Sequence, residues 1–202
     1  MTLRIISLWT FSALLTCGLT MTAVHSASAD IIDFVVEGSA GLGITAANEP
    51  GDTGNGSGGI LAGGVTFDTD TNELSLDIGW GSGNGFNDLT SDVNLLNIHG
   101  PTDDPAPGSY IQSAPGLFSI NGINPSATNG GFTGSVSIPQ GNVSDLMTGR
   151  LYLHIHTDDN GGGEARGYLI ASGVVPEPAS VLLLAALGGI LGIQRRRFSN
   201  RR

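Results

Sequence analysis

Leu151-Tyr-Leu-His-Ile-His-Thr-Asp-Asp-Asn-Gly-Gly-Gly-Glu-Ala-Arg-Gly-Tyr-Leu169 is the stretch that decides the fold. Leu151, Leu153 and Ile155 alternate with Tyr152, His154 and His156, and Ala165, Gly167 and Leu169 alternate with Glu164, Arg166 and Tyr168. A period of two is the signature of a strand, whose successive side chains point to opposite faces. The six residues Asp158 to Gly163 between the two runs are turn formers, so the stretch reads as a β-hairpin. The apolar set faces the core, which puts the histidines on the outer polar face under a glycine-rich loop.

Upstream, the pattern repeats. Short alternating or β-rich runs at Ile31–Glu37, Ile60–Phe67, Glu73–Gly79, Val93–His99, Gly116–Asn121, Phe132–Ile138, Arg150–Thr157 and Glu164–Ala171 read as strands. Glycine-rich connections separate them, notably residues 48–59, 80–88 and 101–108. Residues 38 to 59 carry too much glycine for placement of their elements, and Val143–Thr148 reads as one short helical turn. Many short strands without alternating helices predict an all-β fold, an antiparallel β-sandwich, with a short apolar helix only at the C-terminus.

The two ends read as targeting segments. Arg4, the apolar Ile5–Leu19 and the Ala27-Ser-Ala29 site form a signal peptide over residues 1–29. At the other end, residues 176–202 hold Pro176-Glu177-Pro178, an apolar run of 13 residues from Val181 to Ile193, and the cluster Arg195, Arg196 and Arg197. Such a run makes a helix of roughly 20 Å, short against a bilayer core of about 30 Å. The arginines orient it with the tail inside and the domain outside. The order Pro-Glu-Pro, apolar helix, basic tail resembles the PEP-CTERM sorting signal of exopolysaccharide-producing bacteria. That resemblance implies processing by exosortase-type machinery, at least transient membrane contact, and delivery to the cell surface or extracellular matrix, with extracellular polysaccharide as an accompanying partner.

Between the ends, residues 30–175 suit one exported domain. It keeps two arginines, Arg150 and Arg166, against 17 acids, a balance of −15, and has no lysine. A surface of that sign repels phosphate backbones, which excludes nucleic acid as a partner, and attracts cations. The only cysteine, Cys17, lies in the signal peptide, so the domain has no disulfides and no thiolate ligands.

Two segments offer cation chemistry. Asp68, Asp70 and Asn72 imitate the start of an EF-hand loop, but Glu73 stands where that loop requires glycine, so a hairpin turn is expected. On the C-terminal hairpin, His154 and His156 at i and i+2 can converge on one ion, with His99 as a third nitrogen. Copper or zinc fits such a set. The competing reading is a structural network of Asn97, Glu164 and Arg166 with the histidines, in which Arg166 pairs with Glu164 and fixes the register. No nucleophile with a base, phosphate loop or positioned carboxylate pair is recognisable, so a non-catalytic surface protein is expected, with a metal-binding and redox-capable domain as the alternative.

Asn97-Ile-His99-Gly-Pro101, Leu151-Tyr-Leu-His-Ile-His156-Thr and Gly162-Gly-Glu-Ala-Arg-Gly-Tyr-Leu169 together resemble the two signature segments of the CHRD domain, first described in chordin. The resemblance spans about Ile60 to Ile170 and implies an immunoglobulin- or superoxide-dismutase-like sandwich. Asparagine and histidine are exchanged between the segments: Asn97 replaces a histidine and His154 an asparagine. An exchange that keeps the polar set implies that the two strands touch.

Overall fold

The computed structural model describes residues 30–51, 53–124 and 127–175, with the backbone alone for 173–175. The signal peptide, Pro176-Glu177-Pro178, the apolar run 181–193 and Arg195–Arg197 lie outside these residues. Among the described residues, no helix is long and apolar enough to cross a membrane.

In chain order the elements are β1 (Ile31–Gly38), β2 (Gly41–Leu42), β3 (Ile44–Thr45), β4 (Ser57–Asp68), β5 (Glu73–Trp80), β6 (Val93–His99), β7 (Gly116–Ser119), β8 (Gly130–Ser137), α1 (Gln140–Met147), β9 (Tyr152–Thr157) and β10 (Ala165–Val175). All pairings are antiparallel. The ladder runs β8-β5-β4, passes through β1 and the short β3, and continues β10-β9-β6-β7. The expected class, an antiparallel all-β fold, is what forms. Side chains from both halves of the ladder, including Phe67, Leu74, Ile78 and Trp80 from one and Leu96, Ile98, Leu153 and Ile155 from the other, belong to a single buried cluster. The sheet therefore folds over on itself around one core, which a chain without disulfides needs.

Three local expectations change. The short turn at Val143–Thr148 is the end of α1, which starts directly after Pro139, buries Leu146 and stops at left-handed Gly149. Within residues 38–59, β2, β3 and a turn of 3₁₀ helix at Ala46–Asn48 form, and β4 begins at Ser57 rather than Ile60. The third change concerns the hairpin itself. All six residues of β9 are buried, on both faces, so its histidines do not lie on a solvated outer face. One face meets the apolar core; the other is covered by the loops at 46–56, 109–115 and 158–163, which bring Glu49 to His154, the Ala114 carbonyl to Tyr152 Oη and the Gly161 carbonyl to His156.

Candidate metal centre

β9 lies between β10 and β6, and this placement assembles the site. Arg166 stands opposite His154 on one side, and Asn97 opposite His154 on the other. The exchanged asparagine and histidine are thus cross-strand neighbours. His99, at the end of β6, pairs with Tyr152. A bulge at Asn94 resets the register, so that Leu95 faces His156.

The three imidazoles pack against one another, with ring centroids 4.5 Å apart for His99 and His154 and 4.3 Å for His154 and His156. One nitrogen from each lies within 4.8 Å of the others. The opposite nitrogen of each ring is occupied. His99 Nδ1 lies 2.7 Å from the Ala114 carbonyl and His156 Nδ1 lies 3.0 Å from the Gly161 carbonyl. A carbonyl only accepts, so both Nδ1 atoms carry the hydrogen and both Nε2 atoms keep a lone pair. His154 Nε2 lies 2.5 Å from Glu49 Oε1, an ion-pair approach without good hydrogen-bond alignment. That distance is too short for two bare acceptors, so the proton sits on Nε2.

His154 Nδ1 then faces His99 Nε2 at 3.3 Å. In neutral rings these are two lone pairs, and the contact is stable only with something positive between them. Two nitrogens bound to one tetrahedral ion at about 2.0–2.1 Å stand roughly 3.3–3.4 Å apart. The spacing fits a shared metal ion, and it fits a proton held between the two nitrogens as well. His156 Nε2 lies 3.2 Å from the Asn97 carboxamide oxygen, so a lone pair on that nitrogen requires the amide to be turned with its NH₂ towards it.

The electrostatics favour the neutral form of two of the imidazoles. Burial pushes His99 down to about 4, and the charges of His154, His156 and Arg166 add to it against the opposing bond to Ala114. Burial and His154 likewise lower His156. Burial alone would raise Glu49, but its bonds to His154 and Arg166 outweigh that and hold it at about 2. It is ionised at neutral pH.

Arg166 does not pair with Glu164 as expected. Its Nε and Nη2 donate to the two Glu49 oxygens at 2.8 and 2.5 Å, its Nη1 donates to the Gln112 carbonyl at 2.7 Å, and its guanidinium stacks on Tyr152 at 4.7 Å. Burial would lower Arg166, yet the Glu49 bonds leave it raised. The Glu164 carboxylate instead accepts from Thr90, Thr157 and Asn160. Gly163, at φ +119°, takes the backbone so close to His154 that a Cβ there would lie 1.7 Å from Nε2. Glu49 was not foreseen, because it sits in the glycine-rich segment, 117 residues from Arg166. The one available signal was the arginine itself: a buried guanidinium demands a carboxylate.

A polar cleft of about 420 Å³ opens in front of His99 and His154, lined also by Glu49, Thr53, Ser113 and Asn160. The Asp68–Asn72 segment is a plain turn between β4 and β5. Asp68 Oδ1 accepts from the backbone of Asp70 and Thr71, and Asn72 takes φ 56°.

Together these features define an acidic, cysteine-free antiparallel β domain with a buried histidine cluster at the floor of a polar cleft. The CHRD domain profile matches residues 41–169, and the chain belongs to that family. The match begins upstream of the segments that first suggested it and takes in Glu49. The PEP-CTERM protein-sorting motif matches residues 174–197, which implies a chain exported to the cell surface and processed by an exosortase. No curated protein and no solved structure matches the chain.

Proposed function

We propose that this chain is a cell-surface or extracellular-matrix protein whose β domain binds a copper or zinc ion between His99, His154 and His156, and acts by binding rather than catalysis. The observation that carries the reading is the facing pair His99 Nε2 and His154 Nδ1 at 3.3 Å, each with its outer nitrogen already engaged. Outer acceptors of this kind, a carbonyl or carboxylate on the far nitrogen, fix the tautomer and ring angle of metal-bound histidines. Three imidazoles, two of them lining the cleft, suit both ions, and the acidic surface draws cations towards it. The binding-only part rests on the sequence, in which no nucleophile with a base and no positioned carboxylate pair is recognisable.

A second reading has its own support. The short His154–Glu49 approach is also that of a charged imidazolium, whose second proton would fill the gap to His99 and make the cluster a metal-free brace. Calorimetric titration of the chain with Zn(II) and Cu(II) separates the two. One equivalent taken up, and lost in His154→Ala and in His156→Ala, supports the metal. No uptake, with both variants only less stable, leaves the brace.

A further inference from the structure

Glu164 is fully buried, and none of the ion pairs among the described residues includes it. Both arginines of the domain are taken, Arg150 by Asp145 and Arg166 by Glu49. A buried carboxylate without a cation is costly unless hydrogen bonds hold its charge. Here four do. Glu164 Oε1 accepts from Thr90 N at 2.7 Å, and Oε2 accepts from Thr90 Oγ1 at 2.6 Å, Thr157 Oγ1 at 2.8 Å and Asn160 Nδ2 at 3.4 Å. Room is kept for it: a Cβ on Gly56 would lie 2.4 Å from Oε1.

The donors come from three separate segments: the β5–β6 connection, the end of β9 and the loop at 158–163. That loop supplies the Gly161 carbonyl to His156 Nδ1, and its Gly163 abuts His154, where a Cβ would lie 1.7 Å from Nε2. Asn160 ties it further, donating to Thr90 Oγ1 at 2.9 Å and to the Thr53 carbonyl at 3.3 Å. We infer that Glu164 is a positioning residue for the histidine cluster: its carboxylate draws Thr90, Thr157 and Asn160 together and so seats the loop that orients His156 and covers His154. Both oxygens must accept, because the Thr90 N–H at Oε1 and the Asn160 NH₂ at Oε2 can only donate. A glutamine would turn its NH₂ towards either the Thr90 N–H or the Asn160 NH₂, neither of which accepts.

The positioning stands on the metal-free geometry; its consequence for affinity rests on the metal reading above. The test is Glu164→Gln in the full chain, with ¹⁵N-labelled histidine and no metal, followed by Cu(II) titration. The Nδ1 proton of His156, bonded to Gly161, should exchange at least about tenfold faster. The His99 Nδ1 proton, bonded to Ala114 on another segment, should hold its rate. Copper affinity should fall by about 10- to 100-fold, the usual effect of losing an outer partner. Unchanged exchange at His156 overturns the inference, and so does equal acceleration at both histidines, which is general loosening. Selective acceleration in a chain that takes up no copper upholds the positioning and sinks the metal reading instead. Should Glu164→Gln fail to fold, Thr90→Val removes one donor to Oε2 and gives the same readout, with the same outcomes deciding.

Discussion

Two hairpins of this chain offer a run of ligand-type residues at alternate positions, and they end as different objects. In the β4–β5 turn, Asp68 spends its carboxylate on the amides two and three residues ahead, exposed to water. In the β9–β10 hairpin, His154 and His156 bond nothing so near on their own strand. They are themselves buried and meet half-buried His99 and buried Asn97 on β6, Glu49 just after the 3₁₀ turn and the Gly161 carbonyl from the loop. Spacing is the same; surroundings decide. A polar run at a solvated turn satisfies itself locally. The same kind of run between two neighbouring strands must find partners at long range, and those partners build a site.

The contrast predicts a graded series. Replacing Arg166 with alanine leaves Glu49 charged and buried beside His154, and should cost about 3–5 kcal/mol in urea denaturation. Gly163→Ala comes next: a methyl would lie 1.7 Å from His154 Nε2 at φ +119°, and backbone strain of this type costs roughly 1–3 kcal/mol before any clash. Gly161→Ala, in the same loop, adds a methyl with nothing within 4 Å and should leave the denaturation midpoint in place. Equal effects at the two glycines would break the claim that the loop is seated on His154. Smallest of all, Asp68→Ala should barely move the midpoint, and a large loss there would erase the contrast between the hairpins.

Acid should act on the histidine hairpin in two stages. His99 titrates at about 4 in the folded chain against 6.5 when free, so below 6.5 the unfolded chain binds the extra proton and stability falls until about pH 4. Glu49 is held at about 2 against 4.5, so its contribution, complete above 4.5, is lost as pH falls towards 2. Denaturation midpoints should therefore decline from about pH 6.5 downwards, and His99→Gln should flatten the upper part of that decline while keeping the lower. A profile flat from pH 7 to 4 in the parent chain would contradict the burial of the imidazoles.

Much of this fold was legible because period-two alternation is a local signal. Val93–His99 has the expected bounds, and β1, β4, β5, β8, β9 and β10 overlap their predicted runs. The pairing of the His99 strand with the His154 strand was foreseeable from the exchange of asparagine and histidine. Three things were not legible. Burial of both faces of β9 depends on loops that close over it, and alternation alone suggests one wet face. The Glu49–Arg166 pair joins residues with no sequence relation beyond opposite charge. Glu164 looked like a partner for Arg166 because it is two residues away in sequence; its actual donors, Thr90 and Asn160, come from loops, and Arg166 is taken by Glu49.

The central claim is that His99, His154 and His156 share one ion, and copper reports on its ligands directly. One equivalent of Cu(II), added to the chain carrying ¹⁵N-histidine and read by pulsed electron paramagnetic resonance, should show three imidazole nitrogens on one copper, and two in His99→Ala. Copper scattered over carboxylates, with a spectrum unchanged by His99→Ala and His154→Ala, would contradict it.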